Sequence, residues 1–320
     1  MPKPREEMIT RLNQHFQLQL SDGVTEIPSH AFERCDWISG IMVPPRIRKI
    51  GQAAFKDCTK LSTVLIQPAV TEIGDQAFCR CFSLVEITLP PGMTEIPDEL
   101  FSGCVGLRNI TIPEGVGKIG DSAFSFCREL ESLVIPGTCR QVGSRLFEKC
   151  TKLQHVTIPN DLTRLSTFMF SGCENLTAVS LPERLTEIAE FAFLGCSKIN
   201  DMTIPESVVE LGREAFKGCS NLVSVNIPPK VTEIKAKTFA LCRKLKSVKI
   251  SQGPTVICNQ AFMECVDLEQ IILPDSVSEI KSGAFLGCDK LMEVSVKAGT
   301  KIDERAFEYC PLVNVIRRAC

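Results

Sequence analysis

Apolar and polar positions follow one rhythm through most of this chain. In Leu84-Val85-Glu86-Ile87-Thr88-Leu89-Pro90, Ile87 and Leu89 alternate with Glu86 and Thr88. A period of two predicts a half-buried strand, here with Leu84, Ile87 and Leu89 turned inward. Pro90 closes the strand where a missing N–H is tolerated. The same string recurs at residues 107–113, 130–136, 153–159, 176–182, 222–228 and 268–274. A shorter extended piece follows, as in Met93-Thr94-Glu95-Ile96, whose apolar ends face the core from the other side. Asp98-Glu99-Leu100-Phe101 then predicts one helical turn. Asp75, Asp98, Asp121, Ser144, Thr167, Asn259 and Ser282 share its opening position, and these residue types cap helix N-termini.

Each unit thus reads strand, bend, short extended piece, helical turn. Its period is marked by a phenylalanine followed three residues later by a cysteine. Thirteen such pairs run from Phe32/Cys35 to Phe307/Cys310, with eleven of the twelve intervals equal to 23 residues and the last equal to 22. A strict period of this length predicts a solenoid. One repeat cannot bury its Leu, Ile, Val, Phe and Cys alone. Stacking buries them as columns, so stability becomes a sum of neighbour interfaces. Residues 23–320 therefore read as an α/β solenoid of about thirteen 23-residue repeats, and the repeat overrules the two domains that length alone suggests.

Residues 1–22 stand outside the repeat. Met8, Leu12 and Phe16 recur every four residues among Arg5, Glu6, Arg11 and Asn13, which predicts an amphipathic helix that covers the open end of the first repeat or, alternatively, binds a partner or a membrane. At the other end, residues 312–316 read as a final strand. Arg317 and Arg318 would blunt its edge, or the edge could support association. Some repeats depart from the pattern. Cys139 and Pro254 replace the apolar residue that opens the short extended piece, while Ser251 and Lys297 replace the strand-ending proline. These read as drift at a surface turn, or as a local bend reshaping the surface near residues 250–258.

Composition narrows the function classes. A net charge of −2 implies no general attraction to nucleic acid or anionic membrane. No apolar run approaches a membrane span, and residues 1–20 lack the apolar core of a secretory signal. Thirteen of the seventeen cysteines sit in the repeat column, leaving Cys79, Cys139, Cys258 and Cys320. One thiol per repeat at a constant phase reads as a small buried hydrophobe, not as a zinc cluster or a disulfide ladder. Free thiols and the missing signal predict a reducing, cytoplasmic setting. Catalysis is not expected. His15, His30 and His155 are the only histidines, and none sits at a motif-like spacing to a cysteine or carboxylate. No cofactor or metal is implied.

The string Leu107-Arg108-Asn109-Ile110-Thr111-Ile112-Pro113, continuing through Val116, Ile119-Gly120 and Ala123-Phe124 to Cys127, resembles the BspA-like class of leucine-rich repeats. The likeness covers roughly residues 23–316. It implies a right-handed superhelix with a parallel sheet on the concave side, and protein-binding roles, often in adhesion or host contact at the surfaces of bacteria and protists. It supplies no catalytic motif.

A binding function must rest on what the strands expose. The outward columns are mostly small and hydroxyl-bearing. Their candidate partner-binding residues are Glu86, Thr88, Asn109, Thr111, His155, Thr157, Asp201, Thr203, Asn226 and Lys249. The expected function is a non-catalytic scaffold that binds another protein through the concave face. The alternative is a secreted or surface adhesin built from the same repeat. The partner is a protein of unknown identity.

Overall fold

The structure, a computed structural model, describes residues 9–12, 17–20, 23–177 and 179–318. The chain divides into two compact units, Met1–Pro159 and Asn160–Cys320. Each is a stack of parallel-strand repeats, together about thirteen turns of a solenoid.

In the first unit, strands Gly40–Met42, Thr63–Leu65, Glu86–Thr88 and Asn109–Thr111 pair in sequence, all parallel. Ser132–Val134 pairs with His155–Thr157 in the same way. The register joins equivalent positions of successive repeats, such as Glu86 to Asn109 and Thr88 to Thr111. That register is why an outward position in one repeat continues as a column. Two-residue strands form narrower ladders on the opposite side of the core, among them Glu95–Ile96, Lys118–Ile119 and Gln141–Val142. The second unit repeats the plan. Ser224–Ile227 pairs with Ser247–Ile250, and Gln270–Ile272, Glu293–Lys297 and Asn314–Arg318 form a second sheet. Proline ends most of these strands. Where Lys297 stands instead, the strand runs to five residues and pairs along its whole length.

The core is built of columns. Twelve phenylalanines from Phe32 to Phe285 are fully buried. Their rings stack almost parallel, with centroids 5.3 Å apart at Phe32/Phe55 and 5.9 Å apart at Phe78/Phe101 in the first unit. At Phe193/Phe216 in the second unit the separation is 5.3 Å. Offset stacking of this kind adds about 0.5–1.5 kcal/mol per pair beyond area burial. The column cysteines lie beside the rings, and the described cysteines are free and buried.

The expected helical turn does not form. Residues 98–103 are successive turns in which Glu99 and Gly103 have positive φ, 53° and 74°. The same spacing recurs at Ala53/Asp57, Ser122/Phe126 and Gln260/Glu264. A left-handed residue every fourth position breaks the run of right-handed residues that a helix requires. The backbone donors then point along the stack. Glu99, Phe101 and Gly103 donate to the carbonyls of Asp121, Ala123 and Ser125 at 2.7–2.9 Å. Alternate donors thus bond the next repeat, while those between them close local turns, as Ser102 to Glu99 and Cys104 to Phe101 at 3.0 Å.

The capping reading is corrected with it. The Asp98 carboxylate accepts the N–H of Asp121 at 2.8 Å, and the Asp121 carboxylate accepts that of Ser144 at 2.6 Å. These carboxylates cap the neighbouring repeat, not their own turn.

The expected helix over residues 1–22 falls partly outside the described residues. Where the chain is described, Ile9–Leu12 and Gln17–Leu20 are antiparallel strands. Gln17–Leu20 also pairs in parallel with Gly40–Met42. An unpaired sheet edge is a row of free donors and acceptors, and a strand satisfies it where a helix cannot. The alternation in Phe16-Gln17-Leu18-Gln19-Leu20 carried that signal.

A candidate interaction surface

The sheet face is held in place by the core beneath it. In Glu86–Thr88, Ile87 is buried while Glu86 and Thr88 are exposed, and His155–Thr157 shows the same alternation. All ten candidate residues are exposed. Glu86, Thr88, Asn109 and Thr111 come together on two adjacent strands. His155 and Thr157 lie on the separate two-stranded ladder of the same unit. In the second unit Asn226 and Lys249 are register partners. Asp201 and Thr203 are exposed in a segment outside the strand ladders.

Apolar side chains interrupt this polar face, among them Met42, Leu65, Val134 and Ile272, with Val134 61% exposed. Met42 and Leu65 are neighbours in register. All four hold the position of Thr88 within their own repeats, so the signal lay in the sequence. Leu65, Glu86, Thr88, Asn109 and Thr111 line a shallow depression of about 770 Å³. A smaller one, about 260 Å³, opens between Asn109–Thr111 and Ser132–Val134. Those two strands belong to different ladders. A third depression lies at Ser247, Lys249, Gln270 and Ile272, at another interruption of the sheet. It adjoins the irregular segment at residues 250–258, where Gly253 approaches so closely that a Cβ would lie 2.3 Å from the Pro229 carbonyl oxygen.

Charge separates the two sides of the repeat. On the short-strand side, acids meet bases from neighbouring repeats. Glu187 lies 3.0 Å from Arg164, Glu279 lies 3.0 Å from Lys301, and Glu210 pairs with Lys235. Hydrogen bonding to Glu210 raises the Lys235 ammonium above its ordinary value. On the sheet face, Glu86, His155, Asp201 and Lys249 make no ion pair among the described residues. No group of three His, Cys, Asp or Glu that could hold a metal occurs among the described residues. No helix there is long and apolar enough to cross a membrane.

Comparison with known proteins agrees with this architecture. A leucine-rich repeat protein from Bacteroides ovatus is 24% identical, with 92% of this chain and 87% of that one covered at a TM-score of 0.58. A leucine-rich cell surface protein from Faecalibacterium prausnitzii is 28% identical, with 94% and 78% covered and a TM-score of 0.56. The pneumococcal vaccine antigen PcpA is 22% identical, with 92% and 74% covered and a TM-score of 0.57. The curated proteins contain no match. The BspA type leucine-rich repeat region matches in six copies, over residues 11–107, 94–223 and 210–317. With the repeat, its register and these matches together, the chain belongs to the BspA type leucine-rich repeat family.

Proposed function

We propose that the protein is a non-catalytic scaffold that binds another protein through the sheet face of its repeats. The observation that carries this reading is the contrast in charge pairing. Glu72, Glu187, Glu210 and Glu279 on the short-strand side meet a base of a neighbouring repeat, whereas Glu86, His155, Asp201 and Lys249 stand exposed and without an ion pair on the sheet side. Unpaired surface charges steer encounter and set specificity. The depression beside Leu65 adds an apolar contact next to Glu86. Glu86→Lys combined with Asp201→Lys is expected to weaken capture of a partner from the source cell, with melting unchanged. Glu95→Lys on the opposite side is the matched control. Loss of capture in the control alone would place the binding face on the wrong side.

A second reading is a surface adhesin or antigen. Similarity to the Faecalibacterium prausnitzii cell surface protein favours it. Buried free thiols support the other placement, a reducing cytoplasmic setting. Protease accessibility on intact source cells decides between the two.

A further inference from the structure

On the turn side of the first unit, away from the sheet face, lies a groove of about 550 Å³ with aromatic walls and cationic rims. Its walls are Phe82 and Phe126, each 39% exposed, with Val105 between them. Its floor is Gly103. The rims are Arg80 and Arg128, and no carboxylate lines it.

The groove follows from repeat positions. Phe82 and Val105 occupy one position of the turn in successive repeats, and Arg80, Gly103 and Phe126 occupy another. Arg80 and Phe126 hold the same positive φ as Gly103, 59° against 74°. Glycine is therefore not demanded by the backbone there. What it provides is space, since a Cβ at Gly103 would lie 3.0 Å from Arg80 Cγ. Arg80 is held in place from both sides. Asp57 pairs with it at 2.9 Å, and its guanidinium lies 5.9 Å from the Phe82 ring centroid. Arg128 is exposed at the opposite rim.

We propose that this groove binds an acidic peptide segment of a protein partner. A large apolar side chain of that segment lies over Gly103 between the two phenylalanines, and neighbouring carboxylates meet Arg80 and Arg128. Charge complementarity selects the occupant. Arg128 makes no ion pair among the described residues and attracts a carboxylate, while Arg80, whose Nε meets Asp57, offers its remaining N–H groups to a second; guanidinium geometry suits both contacts. Exposed phenylalanine and arginine together are the composition of interface centres. The groove shares no residue with the sheet face, so this inference stands or falls independently of the proposed scaffold site.

The test begins with an unbiased probe: a phage-displayed random peptide library selected on the 320-residue chain, with counter-selection on Phe126→Ser. The expected winners combine a large apolar residue with adjacent Asp or Glu. A fluorescein-labelled synthetic copy of the leading winner is then titrated by anisotropy. Arg128→Glu and Phe126→Ser should each weaken it by at least about tenfold, while Glu86→Lys leaves it unchanged. If Phe126→Ser lowers the melting temperature, Val105→Asp replaces it, placing a carboxylate in the groove without removing a ring. Winners that lack acids, or that bind the groove variants equally well, overturn the proposal. So does co-sedimentation with phosphatidylserine vesicles that is lost in Arg128→Glu, because it would reassign the groove to a membrane surface.

Discussion

The Cys104 thiol donates to the carbonyl oxygen of Phe78, one repeat back, at 3.0 Å. The same carbonyl accepts the N–H of Cys81 in its own repeat at 3.3 Å. This two-donor arrangement recurs at Phe55, Phe101 and Phe193, whose carbonyls take the thiols of Cys81, Cys127 and Cys219. The cysteine column is thus a ladder of S–H···O bonds and not only apolar filling. A direct comparison tests the distinction. Cys104→Ala removes both the sulfur volume and the donor, and should cost about 1–3 kcal/mol. Cys104→Ser keeps a donor for the Phe78 carbonyl and should cost no more than alanine in urea denaturation. Were the column mere filler, burying a serine hydroxyl there would cost more than alanine.

The same burial makes the fold sensitive to alkali. Removal from water pushes the Cys79 thiol up to about 11 and the Cys150 and Cys219 thiols up to about 12. In the unfolded chain they ionise at about 8.5. A folded pKa above the unfolded one means stabilisation that is complete below pH ~8.5 and lost as pH rises toward the folded value. Each such thiol contributes a slope of about 1.4 kcal/mol per pH unit in that window. Melting temperature should therefore fall steeply between about pH 9 and 10.5, and less steeply in Cys150→Ala. The native column thiols should also resist alkylation at neutral pH until urea unfolds the chain. Melting that stays flat across this window would mean the thiols are not buried.

Asp98 illustrates what sequence reading could and could not reach. An acidic residue just before Leu100-Phe101 matched a helix cap, and its hydrogen bond to a backbone N–H was correctly expected in kind. The donor is the N–H of Asp121, 23 residues on, and not one in its own turn. Asp98→Ala should cost about 1 kcal/mol. Amide exchange should accelerate at Asp121 and stay unchanged at Phe101. Faster exchange at Phe101 instead would restore the capping interpretation.

The strands and core were legible because they depend on side-chain alternation. Ile87, Leu89, Phe101 and Cys104 are buried, as their phase predicts. The turn segment was not legible. Its conformation is set by left-handed residues as varied as Glu99, Phe126, Leu241 and Gln260, a set with no common side-chain chemistry. What they share is an N–H satisfied by the next repeat, as with Phe126 to Glu148, and a partner one repeat away leaves no local trace. For the surface, the column carrying Thr88 and Thr111 was legible, but the groove at Phe82 and Phe126 was not. It is made by two positions of the turn brought side by side across three repeats.

Position along the stack should be measurable in the phenylalanine column. Phe216 is fully buried and stacks on Phe193 and Phe239, with centroids 5.3 Å away on each side. Phe307 stacks on Phe285 at 5.3 Å and is half-buried. In a solenoid each repeat is stabilised by the interfaces it shares with its neighbours. Removing the Phe216 ring therefore opens a cavity enclosed by protein on both sides, for which large-to-small replacement costs about 3–5 kcal/mol. Removing the Phe307 ring loses one stacked face and leaves a site that water already reaches. Its cost should be well under half as large. Because a break within an array can uncouple the repeats on either side, Phe216→Ala should also broaden the urea transition, whereas Phe307→Ala should only shift it. Equal costs for the two substitutions would show that the rings do not act as a column of neighbour contacts.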